Sequence, residues 1–139
     1  MKTNSLCQLN SYDFTKLSIQ WKPSPDRKEF EIDNLVSHFD YDVWQNTDHP
    51  RLYLMRFGTT FQEETPDNQK LGYQIEAEIF ANLELSEEVE AEKQALFVRQ
   101  NGVCILLGII RTQVAMNTGS FIGGKLVIPT LMPNEIVKE

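Results

Sequence analysis

Gly102-Val103-Cys104-Ile105-Leu106-Leu107-Gly108-Ile109-Ile110-Arg111 is the longest apolar run in the chain, and its reading decides the architecture. Over Val103 to Ile110, periodicity alone allows either a buried strand or the start of a buried helix. Beyond it, apolar side chains return at Val114 and Ala115 with Arg111, Thr112 and Gln113 in between, which is helical spacing. The spacing predicts a helix over about Val103 to Asn117. Gly119 and then Gly123-Gly124 supply a stop, and Leu126 to Leu131 reads as extended chain ending at Pro133.

Outward from this helix, Ser86 reads as an N-cap followed by Glu87, Glu88 and Glu90 at the positive end of a helix dipole. That predicts a separate amphipathic surface helix to about Gln100, with Val89, Leu96 and Phe97 on one side. Gly72 to Leu85 alternates most cleanly: Tyr73, Ile75, Ala77, Ile79, Ala81, Leu83 and Leu85 against Gln74, Glu76, Glu78, Phe80, Asn82 and Glu84. Such a strand has one buried face and one wet face. Glu63 to Lys70, with Pro66-Asp67-Asn68, is a polar hairpin loop joining it to a strand over Arg51 to Gln62. There Tyr53, Met55, Phe57, Thr59 and Phe61 share one face, and Leu52, Leu54, Arg56, Gly58 and Thr60 the other.

Asn46-Thr47-Asp48-His49-Pro50 is a loop by composition. Phe30 to Trp44 is extended, with Phe30, Ile32 and Val36 on one face and Asp33-Asn34 as a competing turn. Tyr12 to Lys22 is strand-like but changes parity between Tyr12/Phe14 and Leu17/Ile19/Trp21, which predicts a bulge near Thr15-Lys16. It closes at Pro23-Ser24-Pro25-Asp26, and residues 1 to 10 are polar and read as a frayed start. Four strands followed by helices define an α+β domain: a four-stranded antiparallel sheet with its helices on one face.

Five groups of residues, Asn101-Gly102, Ile105-Leu106-Leu107, Ile110-Arg111, Ser120-Phe121 and Leu126-Val127-Ile128-Pro129, together resemble the C-terminal signature of the SecB family of export chaperones. Tyr73-Gln74-Ile75-Glu76-Ala77-Glu78-Ile79 resembles that family's last strand. The likeness covers roughly residues 70 to 132, and the first half by order of elements. It implies a SecB-like fold, pairs of protomers assembling into a homotetramer, and apolar grooves that hold unfolded polypeptides. It also matches Tyr73, Ile75, Ala77 and Ile79 to last-strand positions linked to assembly and client holding. Those four side chains are equally readable as intramolecular core. Export members of the family carry a further helix and acidic tail that engage the translocation motor. This chain ends at Asn134-Glu135-Ile136-Val137-Lys138-Glu139, so a SecB-like chaperone dedicated to one client, such as an antitoxin, stands beside a role in protein export.

The 139 residues and 16.1 kDa fit one domain, residues 1–139, able to bury a core without staples. With 41% hydrophobic and 24% charged residues the chain falls outside the disordered class. No uninterrupted apolar run reaches the length of a membrane span, and Met1-Lys2-Thr3-Asn4-Ser5 has no apolar signal region after it, so a cytoplasmic address with no membrane partner is expected. A net charge of −7 opposes binding to phosphate backbones, so nucleic acid is not an expected partner. Cys7 and Cys104 share no metal spacing, and Cys104 reads as a small buried hydrophobe.

Catalytic chemistry has no motif here. His38 and His49 lie in different segments without a ligand neighbour at i+3 or i+4, so neither a metal nor a cofactor is expected. Gly119, Gly123 and Gly124 lack phosphate-loop spacing. Glu76 and Glu78 share a strand face and read as solubilising carboxylates rather than an acid/base pair. No nucleophile motif is present, so the chain is not expected to be an enzyme. What stands out is apolar surface, with Tyr53, Phe57 and Phe61 in one strand, the Tyr73–Ile79 row in the next, and Phe121 after the helix. These are the candidate client-binding or oligomer-interface residues, with unfolded polypeptides and sister subunits as partners. A non-chaperone interaction module and a small α+β enzyme are the rival readings.

Overall fold

In a computed structural model the alternating stretch becomes an inner strand of one antiparallel sheet. The structure describes residues 6–22, 35–64, 70–121, 125–129 and 136–137. The expected turns at 23–26, 33–34 and 66–68, the strand positions Phe30 and Ile32, the 123–124 stop and the 131–133 terminus lie outside these residues. Strands β1 (Cys7–Lys22), β2 (Leu35–Gln45), β3 (Leu52–Glu64) and β4 (Lys70–Leu85) are followed by a 3₁₀ turn over Ala91–Lys93 and helix α1 (Gln94–Thr118). The sheet order is β1-β4-β3-β2, which puts the two richest alternations in the middle and the first two strands at the edges.

The odd-numbered side chains of β3 and β4 form the floor of the core. Met55, Phe57, Tyr73, Ile79, Ala81 and Leu83 are wholly buried beneath α1 and the buried Leu126, Ile128 and Val137. Burying each large side chain stabilises the fold by about 1.5–3 kcal/mol, so the helix side of the sheet carries most of the hydrophobic driving force.

The bulge near Thr15-Lys16 is present, as a register shift between Phe14 and Lys16, and a second lies between Leu9 and Ser11. Between them they bring Cys7, Leu9, Tyr12, Phe14, Leu17, Ile19 and Trp21 opposite the odd-numbered residues of β4, all on the helix side. The strand begins at Cys7, ahead of the frayed start expected to residue 10. In β2, Val36 pairs with Gln62 and so lies on the outer face, while Leu35, Phe39, Tyr41 and Val43 face the helix side.

Two sequence expectations about the helices are corrected. A single 25-residue helix replaces the two expected around Gly102. Gly102 does not interrupt it: a Cβ there would collide with Met55 Sδ and stand 3.0 Å from Leu83 Cδ1, so the glycine allows the helix to lie close on the sheet. Ser86 caps no helix. Its hydroxyl accepts from the Glu88 N–H at 3.2 Å in the turn after β4, and α1 starts eight residues later without a side-chain cap. Arg51 ties this turn down by donating to the carbonyls of Ser86 and Val89.

Two further expectations fail for a shared reason, that residue type alone does not report burial. Glu63, placed in a polar loop, is a fully buried strand residue whose carboxylate accepts from the Tyr73 N–H at 3.3 Å. Gly72, at φ 74°, keeps the space the Glu63 carboxylate fills. Cys104 is exposed on α1, whereas Cys7 is buried.

After the helix the chain returns along it. Thr118 Oγ1 donates to Val114 O at 2.7 Å and accepts from Leu126 N at 2.8 Å, and Arg111 Nε donates to Ile128 O at 2.8 Å. These bonds alternate the returning segment, with Leu126 and Ile128 inward and Lys125, Val127 and Pro129 outward. The helix is long and apolar enough by composition to cross a membrane, yet its Val98, Gly102, Val103, Leu106, Ile110 and Val114 face is packed into the core.

Candidate functional site

The eight sequence candidates divide by position. Tyr53, Phe57, Phe61, Tyr73, Ile75, Ala77 and Ile79 are all buried inside the protomer on the helix side of β3 and β4. Tyr53 is anchored there by donating its hydroxyl to Gln94 Oε1 at 3.0 Å. Phe121, just past α1, is half-buried and stacks on Tyr73 at 5.9 Å with 24° between the planes. The buried seven are the floor on which a more accessible margin is laid.

That margin has two sides. Along β1, Trp21 packs edge-on against Tyr73 at 4.7 Å, and Ile19, Gln20, Trp21, Lys22, Gln74 and Phe121 border an open cleft of about 650 Å³. The Trp21 indole Nε1 is buried and has no hydrogen-bond partner among the described residues. Along β2, Phe39 stacks on Phe57 at 6.1 Å and meets Phe61 edge-on at 5.7 Å, and Tyr41 and Val43 continue the half-buried row. Sequence reading passed over Trp21 and Phe39 because each sits in a strand whose parity or limits were not clear until the bulges and register were known.

The outer face of the sheet is different in kind. At its centre the Arg56 guanidinium donates to Asp42 at 2.8 Å, Asp40 at 2.9 Å and Glu78 at 3.3 Å. These partners hold Arg56 well above the ordinary guanidinium pKa. Gly58 clears the way, since a Cβ there would stand 2.5 Å from Asp40 Oδ1 and 2.9 Å from Arg56 Nη1. Glu76 pairs with Lys16 at 2.8 Å, and Glu78 also accepts from Thr15 at 2.7 Å, so the two carboxylates are each engaged with their own partners. Toward one end, Trp44 stacks on Phe80 at 6.5 Å with 4° between planes, beside Leu52 and Leu54, above a cleft of about 300 Å³. Among the described residues, no three His, Cys, Asp or Glu side chains converge as a metal site would need.

This arrangement, a four-stranded antiparallel sheet with a long C-terminal helix over one face, is the fold of a SecB-like chaperone. Among solved structures the chain is similar to the SecB-like chaperone Rv1957 of Mycobacterium tuberculosis in complex with a ChAD peptide from the Rv1956 HigA1 antitoxin. The TM-score is 0.61 and 90% of each chain is covered, at 15% sequence identity, so the likeness is one of fold. No protein-family model matches the chain, and a search of curated proteins finds no match.

Proposed function

We propose that this protein is a cytoplasmic holdase chaperone that binds extended, unfolded polypeptide segments without ATP. The observation that carries the reading is the fold shared over 90% of both chains with a chaperone holding a peptide. A fold alone does not fix a function, so the site must supply the rest. Here the floor of Tyr73, Ile75, Ala77 and Ile79 is sealed, while its margin is open and lined by Ile19, Trp21 and Phe121. A client side chain burying ~200 Å² there would gain roughly 5 kcal/mol at ~25 cal/mol per Å², less the cost of ordering an extended chain. Affinity per groove is therefore modest, and several grooves on a homo-oligomer, a tetramer in this reading, raise it through effective concentration.

The client is either a precursor destined for export, handed to the translocation motor, or a dedicated partner. The antitoxin peptide held by the mycobacterial chaperone favours the second. The test is suppression of light scattering by several unrelated unfolding proteins without ATP. A chaperone suppresses aggregation of more than one of them, and a dedicated one also binds an antitoxin peptide more tightly than the others. Absence of any suppression and of any peptide binding refutes the proposal.

A further inference from the structure

The outer face of the sheet is charged at its centre and uncharged at one end. At the centre Asp40, Asp42 and Glu78 surround Arg56, and Glu76 pairs with Lys16. At the end where β2 passes into β3, the cleft of about 300 Å³ beside Trp44 is lined, among the described residues, by no charged side chain. An ionised ligand there would give up water without gaining a counter-ion. Glu84, which accepts from Asn10 at the border, turns anions away as well.

The cleft joins an apolar wall to a set of amides. Trp44, opposite Leu54 in the register of β2 and β3, remains 49% exposed while its ring lies parallel to that of Phe80. Around it stand Asn10, Gln45, Asn46 and Asn82. Asn10 is supplied by the bulge between Leu9 and Ser11, where it is the extra residue opposite β4. Each amide is tied to the protein at one end. Asn10 Nδ2 donates to Glu84 Oε1 at 3.2 Å, Asn82 Nδ2 to Ser11 Oγ at 2.9 Å, and Gln45 Nε2 to Pro50 O at 2.8 Å. Asn46 is held by its other end, with Oδ1 accepting from the Asp48 and His49 N–H groups at 2.9 and 3.0 Å. Among the described residues, the side-chain oxygens of Asn10, Gln45 and Asn82 and the Nδ2 of Asn46 have no protein partner. The amides are thus oriented by one set of bonds and keep a second set for a ligand.

A primary amide donates and accepts at once, as a hydroxyl does. A sugar ring carries hydroxyls at its rim and a face of C–H groups that packs on an indole. Small-ligand sites span roughly 300–1,000 Å³, so this cleft is at the lower end and has room for a single ring rather than an extended chain. We propose that it binds a neutral sugar, one ring face stacked on Trp44 and the hydroxyls exchanging hydrogen bonds with Asn10, Gln45, Asn46 and Asn82. The inference does not depend on the polypeptide-binding reading, because the cleft lies on the opposite face of the sheet from Trp21 and Phe121.

The test titrates the full-length protein with glucose, galactose, mannose and N-acetylglucosamine, and follows its amide and indole signals by NMR. At least one sugar should shift the signals of Trp44, Gln45, Asn46 and Asn82, with a dissociation constant on the order of 1 mM for so small a ligand. A hexose phosphate should bind about tenfold more weakly. Methyl glycosides of the binding sugar separate the two sources: they bind when the ligand is the end of a glycan and fail when it is a free sugar. Trp44→Ala and Asn82→Asp, both at exposed positions, should each weaken binding at least tenfold with little change in melting temperature, and Asn82→Asp decides the matter if Trp44→Ala fails to fold. The inference is overturned by no shift with any of these sugars, by shifts that persist in both variants, or by an equal response to adenine or choline, which bring a stacking face or a cation without ring hydroxyls. A client peptide that shifts the same signals and that no sugar displaces makes the cleft part of the polypeptide surface and overturns it too. Each of these results leaves polypeptide binding standing.

Discussion

The same substitution at two glycines of α1 separates helix propensity from helix-to-sheet packing. Gly108 faces open space, with nothing within 4 Å of a Cβ placed there. Gly108→Ala should therefore stabilise the fold by about 1 kcal/mol, the ordinary Gly-to-Ala difference inside a helix. At Gly102 the same gain is opposed, because the new methyl would overlap Met55 Sδ and crowd Leu83 Cδ1, and both of those side chains are completely buried. Forcing one extra carbon into a close-packed core costs about 1–3 kcal/mol, so Gly102→Ala should range from near neutral to about 2 kcal/mol destabilising. The two variants should then differ by about 1–3 kcal/mol, or roughly 3–9 °C in melting temperature for a domain of this size. Urea unfolding with a shared m-value measures the gap. Trimming the obstruction with Met55→Val should return part of the Gly102→Ala loss in a double-mutant cycle. Equal stability of the two alanine variants would refute the claim that Gly102 is present for close approach.

Gly72→Ala should cost several times more than a surface change, about 2–4 kcal/mol, because the residue sits at positive φ and its Cβ would enter the Glu63 carboxylate; thermal unfolding measures it. Burial raises the Cys7 thiol from 9.0 to about 11 and pushes the Tyr53 and Tyr73 hydroxyls upward as well. The folded chain then holds these protons more tightly than the unfolded one, so their contribution is complete below pH 9 and is lost as pH rises toward 11. Urea midpoints should fall across that window, and less steeply in Cys7→Ala. Arg56→Met leaves Asp40, Asp42 and Glu78 facing one another and should cost about 1 kcal/mol, a loss that shrinks when unfolding is repeated in high salt. Trp21→Ala removes the ring that borders the open cleft and packs on Tyr73, so it should weaken client binding and also lower the melting temperature, as titration of a labelled peptide and thermal unfolding would register.

Legibility followed the physics of each element. β4 was readable to the residue because one face is buried along its whole length and the side-chain period is two, so Tyr73 to Leu85 can be sorted by parity. The bulge at Phe14/Lys16 was readable as a parity change, but the one at Leu9/Ser11 was not, because Gln8, Asn10 and Ser11 dilute the pattern of Cys7 and Leu9. The helix was split in two because glycine signals both helix termination and close approach. Only the distance from Gly102 to Met55 and Leu83 distinguishes the two. Of the eight residues expected to bind clients or sister subunits, seven are buried in the core of the protomer, because alternation reports a buried face without saying what buries it. Tyr73 and Phe57 are the most conspicuous aromatics, but the residues left accessible are Trp21, Phe39 and Tyr41 in the edge strands, whose facing depends on register.

That division bears on how such a fold could grip other chains without collapsing on itself. A row as apolar as Phe57, Phe61, Tyr73, Ile75 and Ile79 left open would invite aggregation, and it is sealed by one helix and a returning strand-like segment. Among the described residues, exposed large apolar side chains remain at Tyr12 and Leu17 on β1, at Val36, Trp44 and Leu54 on the outer face, and at Met116 and Val127 on the helix and the returning segment. On the outer face lie Asp40, Asp42, Glu76, Glu78 and Glu84, within a chain of net charge −7, which repels like-charged neighbours while leaving basic or neutral unfolded segments free to approach. On the proposed function, stability and client binding would then fall to different residues of the same strands. Weakening the margin by Phe121→Ala should lower client affinity while the melting temperature falls little, whereas Ile79→Ala, wholly buried in the floor, should cost about 2–5 kcal/mol of stability. A reversed pattern, with Phe121→Ala unfolding the chain and Ile79→Ala sparing it, would mean that the margin and not the floor is the core.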